Sequence, residues 1–309
     1  MELIAVPLLL LVGGLLALQA GANVQLSTAM GSPFGASTLQ LSIGAVLLLA
    51  LAALAGSLGA FAVLGDAEPW HLVGGVGSAV YITAGILLFP RLGALVTVGL
   101  FIAGQILLSL LLDAAGWLGV QRDPLDAAAI AGALAVVVGA ALIVRAQAGG
   151  RALEESVRGR PGWLVLAVAG GAVLPIQGAI NAQLSGELGA PIAAGAWSFI
   201  IASVAMAALL AVTAGMRRAP RPTLAGLGRV PWWGWLGGLC GATYVVSVFV
   251  MIPEIGVAPT VALTVGGQQV ASIFVDRHGL LRLPGRPITR IRLLGVAILL
   301  AGVALIQVV

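Results

Sequence analysis

Gln19 and Asn23 lie four residues apart in an apolar run, and Gln177 and Asn181 repeat the pair 158 residues later. At that spacing both side chains of a pair share one helix face. Two more pairs recur 163 residues apart, Tyr81 with Tyr244 and Gln105 with Gln268. Uncharged amides and phenols offer hydrogen bonds and aromatic faces, a chemistry suited to holding a small polar or cationic solute. Hydrogen bonding between packed helices is the alternative use of every one of them. Trp197, on a segment of small residues, either roofs a cavity or packs. Asp113 and Asp276 are the duplicated carboxylates. They are the candidates for coupling to an ion, with solvated helix ends as the other reading.

No catalytic or metal-binding spacing accompanies these pairs. The chain has no nucleophile elbow, no His-Glu pair at metal spacing and no Walker loop. His71 and His278 both fall at the edges of apolar runs, and Asp276-Arg277-His278 reads as a solvated loop cap. The single Cys240 excludes an intrachain disulfide and a Cys-based metal site. It is read as a small packing residue. Neither enzymatic activity, nor a metal, nor a cofactor is expected.

The elements that must position the polar pairs are membrane helices. Of 309 residues 60% are hydrophobic and only 8% charged, against about 25% charged in soluble chains. Mean hydropathy is +1.12. Ten apolar spans are predicted, at 3–26, 34–64, 70–89, 93–113, 126–144, 162–185, 190–214, 231–252, 256–276 and 289–308. Each is long enough for a hydrocarbon core of about 30 Å, where unpaired backbone groups exclude anything but helix or closed barrel. The second is long for one crossing, which predicts tilt or a break near Gly56–Gly59. Pro175 predicts a kink in the sixth. Trp70, Trp232, Trp233 and Trp235 stand at span starts as interfacial anchors. Gly237 and Gly241 form a small-residue packing face. The N-terminal segment lacks a basic region before its apolar run and reads as a retained first helix.

All fifteen basic residues are Arg. With ten spans, Arg122 alone falls on the side of the N-terminus and the other fourteen fall opposite, which makes the Arg-rich side cytoplasmic. Both termini then face outward. Scattered over loops, the Arg residues do not form a nucleic-acid footprint, despite a pI near 10.5.

The duplication extends beyond the polar pairs. At the offset of 158, Gly13, Asn23, Gln25, Leu26, Ser27, Gly31 and Pro33 meet identical residues from Gly171 to Pro191. At the offset of 163, Gly74, Gly75, Pro90, Gly93, Thr97, Gly104, Ser109 and Gly116 do the same. Five spans per half is an odd number, so the second copy inserts upside down, a recurrent plan in transporters. The domains are therefore residues 1–147, a cytoplasmic linker at 148–161, and an inverted second repeat at 162–309. Inversion sets Asn23 toward the cytoplasmic end and Asn181 toward the outer end, as matching gates.

The motifs Asn-x-Gln-Leu-Ser followed by Gly-x-Pro, and Pro-x-x-Gly followed by a Gly-Gln block ending in Asp-x-x-Gly, resemble the drug/metabolite transporter superfamily in its YdcZ-like branch. The likeness covers both halves, as a fused double copy of a five-helix unit. It implies an all-α integral membrane protein of ten helices in a 5+5 inverted repeat around a central cavity, in a bacterial inner membrane. Small multidrug-resistance relatives carry a membrane-embedded Glu in their first helix. Here Gln and Asn stand in that region, against proton-coupled cation antiport by that route. The expected activity is secondary transport, as an exporter of a small polar or cationic solute. A passive channel or a lipid flippase is the alternative. The expected partners are that solute and membrane lipid, with one copy sufficing and a homodimer the other possibility.

Overall fold

The computed structural model describes residues 2–92, 94–148, 161–282 and 289–307. Among them are ten α-helices and no strand: α1 Glu2–Met30, α2 Pro33–Leu54, α3 Val76–Leu92, α4 Ala94–Ala115, α5 Ala127–Ala148, α6 Pro161–Leu188, α7 Pro191–Gly215, α8 Gly237–Ile255, α9 Val257–His278 and α10 Arg290–Gln307. Nine of these are long and apolar enough to cross a membrane over their described residues. The chain is a multi-pass membrane protein, as its hydropathy requires.

The repeated Gly-x-Pro motif marks where one helix stops and the next begins. Gly31 and Gly189 take left-handed φ values of 64° and 57°, which a residue without Cβ adopts at little cost. Pro33 and Pro191 then open α2 and α7, where the missing N–H loses no bond. Ser32 closes the first of these corners by accepting a hydrogen bond from the Gly35 N–H at 3.2 Å.

Two predicted spans are corrected, and one Arg placed in a loop is not in one. The second does not run from 34 to 64: α2 ends at Leu54, Gly56 turns at φ 68°, and a separate 3-10 helix covers Leu58–Gly65. The break falls where its glycines predicted. The eighth does not start as α-helix at 231. Trp232–Trp235 form a 3-10 turn, and α8 begins only at Gly237. In the tenth, Arg292 is no loop residue but a buried one, 1% exposed within α10. By contrast α6 continues through Pro175 without interruption. The linker 148–161 lies outside the described residues except for its two ends, which belong to α5 and α6.

Contacts between the halves obey the sequence offsets. A Cβ on Gly13 in α1 would strike the Thr264 carbonyl oxygen of α9, and one on Gly171 in α6 would strike that of Phe101 in α4. Gly267 stands in the same relation to Leu10, and Gly104 to Val168. Each contact is the other's equivalent with the halves exchanged. Gly75 against Ser198 and Gly238 against Gln40 form another such pair. Helices α5 and α10 run antiparallel, with Gly132 against Gly302 and Gly139 against Gly295. Without a strong hydrophobic drive between helices in lipid, such small-residue contacts let the backbones approach and gain dispersion energy.

Candidate functional site

Gln105 and Gln268 stand at the midpoints of α4 and α9, Gln105 buried and Gln268 half-buried. The Tyr81 ring packs at 4.8 Å between centroids on Phe101 of α4. Tyr244 is 9% exposed and lies near Thr264 of α9. Thr264 is the repeat equivalent of Phe101, so each Tyr meets the same position of its own half. The two phenols lie within Coulombic range of each other, one from each half.

The amide pairs are drawn into contacts between helices. Gln177 donates to Ser78 Oγ on α3 at 2.8 Å and accepts from it at 3.0 Å. Asn181 donates to Ser198 Oγ on α7 at 3.1 Å and lies against Gly74. In the first half Gln19 faces Gly241 of α8, the equivalent of Ser78, where no side chain can answer. Asn23 and Gln40 are the equivalents of Asn181 and Ser198. Asn23 Oδ1, an acceptor, and Gln40 Nε2, a donor, are both buried without a hydrogen-bond partner. One polar contact is made and its repeat equivalent is not.

We expect Gln177→Leu and Ser78→Ala each to lower detergent stability. Their double-mutant coupling should be about 0.6 kcal/mol, the typical value for a polar pair between membrane helices. Thermal melts of the two single variants and the double variant measure it.

The other end contacts reinforce the made side. Trp197 Nε1 donates to the Leu72 carbonyl at 3.0 Å, so this ring ties α7 to the α2–α3 connection. His71 Nδ1 pairs with Glu187 Oε1 at 2.8 Å, with Trp70 stacked edgewise on the imidazole. Gln183 Nε2 donates to the Gly119 carbonyl at 2.9 Å, and its equivalent Gln25 donates to Leu281 O at 3.2 Å. These acceptors lie in matching turns after α4 and α9, where Leu118 and Leu281 both hold left-handed φ near 57°. Gln25 and Gln183 thus hold those turns, a role the motif did not disclose because the acceptor sits in the opposite half. Nor did the sequence disclose Ser78, Ser198, Gln40 or the His71–Glu187 pair as contacts.

Asp113 differs most from expectation. It is no solvated helix end: it is 5% exposed, and its carboxylate accepts from the Val257 N–H at 2.9 Å and the Ala258 N–H at 2.6 Å. The cause is Gly256, whose φ of 88° breaks the chain between α8 and α9 and turns the first N–H groups of α9 toward α4. A carboxylate there satisfies orphan donors and meets the positive end of the helix dipole. The side chain of Asp276 lies outside the described residues. Arg277 and His278 end α9 as helix, not as a loop, and His278 Nδ1 lies 3.0 Å from the Phe274 carbonyl. Among the described residues no cluster of His, Cys, Asp and Glu could hold a metal.

Comparison with known proteins places both halves together. Residues 4–142 and 162–305 each match one family, described as "Putative inner membrane exporter, YdcZ". No curated protein matches the chain. Eleven solved chains resemble it. One, titled "Crystal structure of protein", is 19% identical with a TM-score of 0.67, covering 99% of this chain and 96% of its own. That likeness concerns the fold.

Proposed function

The chain belongs to the YdcZ family, matched over both halves, and from that premise we propose that it is a secondary transporter exporting a small polar or cationic solute. It works by alternating access between two inverted five-helix bundles, residues 1–147 and 162–309, with the Arg-rich end and the linker 148–161 in the cytoplasm and both termini outside. One observation carries the reading. Contacts between the halves exchange under the repeat, yet Gln177–Ser78 is bonded while its equivalent, Gln19 against Gly241, has no side chain to answer it. Two halves that can trade roles have two nearly equivalent states, and a latch made at one end only marks one of them. Gln177–Ser78, with Trp197–Leu72 and His71–Glu187, closes the outer end, where Asn181 is the gate residue; Asn23 and Gln40 form the inner gate. Gln105, Gln268, Tyr81 and Tyr244 hold the solute near mid-membrane, and Gln19 and Gln177 flank its path. The working unit is a single copy.

A proteoliposome flux assay over a panel of small amines and polar metabolites tests this reading. We expect Gln105→Ala and Gln268→Ala each to weaken solute binding about three- to tenfold, the loss of one hydrogen bond. Detergent stability should stay near the parent's. Unfolding of both variants would assign the two amides to helix packing instead.

A facilitator without ion coupling is the second reading. It is favoured by Asp113, the one buried carboxylate among the described residues, having both oxygens engaged by the start of α9. Solute accumulation against its gradient, driven by a proton or sodium gradient, would eliminate it. The flippase alternative needs a polar lateral groove. The described lateral crevice, between α3, α6 and α7, is apolar.

A further inference from the structure

The corner that ends α7 differs from its counterpart after α2. Both close with a backbone bond across the corner: Ser57 N–H donates to the Ala52 carbonyl at 2.8 Å, and Arg218 N–H to the Thr213 carbonyl at 2.8 Å. Such a corner needs one residue of left-handed φ. After α2 it is Gly56, at 68°; after α7 it is Arg217, at 54°. A Cβ makes that conformation costly, so glycine is the residue the fold alone favours. None of residues 55–65 is charged, so the first half builds the same corner without Arg.

Arg217, Arg218 and Arg221, with Ala214, Ala219 and Pro220, line a hollow of about 550 Å³. All three Arg are exposed, and among the described residues none of their side chains has a hydrogen bond or an ion pair. The loop that carries them is held on the bundle at both ends. Ala219 N–H donates to the Thr213 carbonyl at 3.2 Å and Thr223 N–H to the Met30 carbonyl at 3.0 Å. Pro222 lies against Gly35 of α2. Pro220 and Pro222 flank Arg221 and restrict the backbone of the residues before them. A restrained backbone thus keeps three cations together, and no described carboxylate relieves their mutual repulsion.

Membrane topology does not require this arrangement. The positive-inside bias counts basic residues near a span wherever in the loop they stand, and a flexible loop with its Arg spread apart would satisfy it. We propose that the hollow binds a phosphate group through Arg217, Arg218 and Arg221. A guanidinium presents a planar fork of donors that pairs with two phosphate oxygens at once, and the anion offsets the repulsion among the cations. The group belongs to a soluble phosphomonoester or to a phospholipid headgroup. The second source has an apolar surface to lie on, because Val212 and Met216, just before the hollow, are 55% and 54% exposed.

The test uses the purified full chain in detergent, by native mass spectrometry and thermal melting. Inorganic phosphate, glycerol 3-phosphate and phosphatidic acid are added separately, with sodium chloride at matched ionic strength as the control. We expect a one-to-one adduct and a raised melting temperature with a phosphate probe and no effect of chloride. A response to the soluble probes identifies a soluble phosphomonoester; a response to phosphatidic acid alone identifies a lipid headgroup. Arg218→Lys/Arg221→Lys keeps the charge that topology needs but loses the fork, and should bind the responding probe at least fivefold more weakly. Arg217→Gly should melt no lower than the parent without ligand, having shed the backbone cost, yet bind at least threefold more weakly. A merely structural Arg217 would not separate those two readouts. No response to any phosphate probe, a chloride effect equal to that of phosphate, or parental affinity in the Lys variant overturns the proposal. So does binding that appears only in Glu154→Gln/Glu155→Gln, which would assign the cations to the linker's own carboxylates. None of these outcomes touches the transport reading, which the flux assay decides.

Discussion

Gly267→Val is expected to leave no folded protein in the membrane. The new Cβ would enter the space held by the Leu10 carbonyl oxygen, and its neighbours there are the backbone carbon and Cα of the same residue. Overpacking against movable side chains costs about 1–3 kcal/mol; a backbone obstacle has no rotamer to yield, so the cost here should exceed about 3 kcal/mol. The helices α1 and α9 would have to separate, opening one of the joints between the halves. Gly104→Val should match it, because Gly104 meets the Val168 carbonyl in the equivalent joint between α6 and α4. Gly59→Val is the control, with nothing within 4 Å of a Cβ there. Fluorescence-detected gel filtration of the three variants reads the outcome. A monodisperse Gly267→Val peak of parental size would show that the joint is looser than described.

Asp113→Ala should be the most damaging change that leaves the helices free to pack. It removes both acceptors from the N–H groups of Val257 and Ala258 in a place where water does not reach. A hydrogen bond to a charged group contributes about 1.5–3 kcal/mol, so the loss should be about 3 kcal/mol and visible as a fall of several degrees in melting temperature. Asp113→Asn retains one acceptor oxygen and should fall between the two. This ordering distinguishes a cap from an ion-coupling carboxylate, for which Asn and Ala would impair coupled transport alike and leave stability unchanged. An Asp113→Ala variant that melts with the parent would remove the cap from the account.

Much of the helical layout was legible in the sequence because hydropathy, proline and glycine act locally. The corner at Gly31–Pro33 and the break at Gly56 follow from the φ preferences of single residues. The 3-10 turn at Trp232–Trp235 did not, since indole rings read as span anchors whether or not the backbone beneath them has become α-helix. Of the polar residues, the sequence identified which recur and where along their helices they stand. It left open whether they hold solute or one another, and the structure shows Gln177 and Asn181 bonded across helices.

The sequence by itself determined the membrane setting, the duplication and the mid-helix position of Gln105 and Gln268, because transfer free energy and repeat register are properties of one segment at a time. Only the tertiary structure decided the partners. It set Gln183 on Gly119, Arg91 over Trp163, and Asp113 beneath the start of α9. Each such contact joins segments that are distant in sequence or lie in opposite halves. Its energy depends on how closely glycine-lined backbones approach, and no single segment encodes that distance.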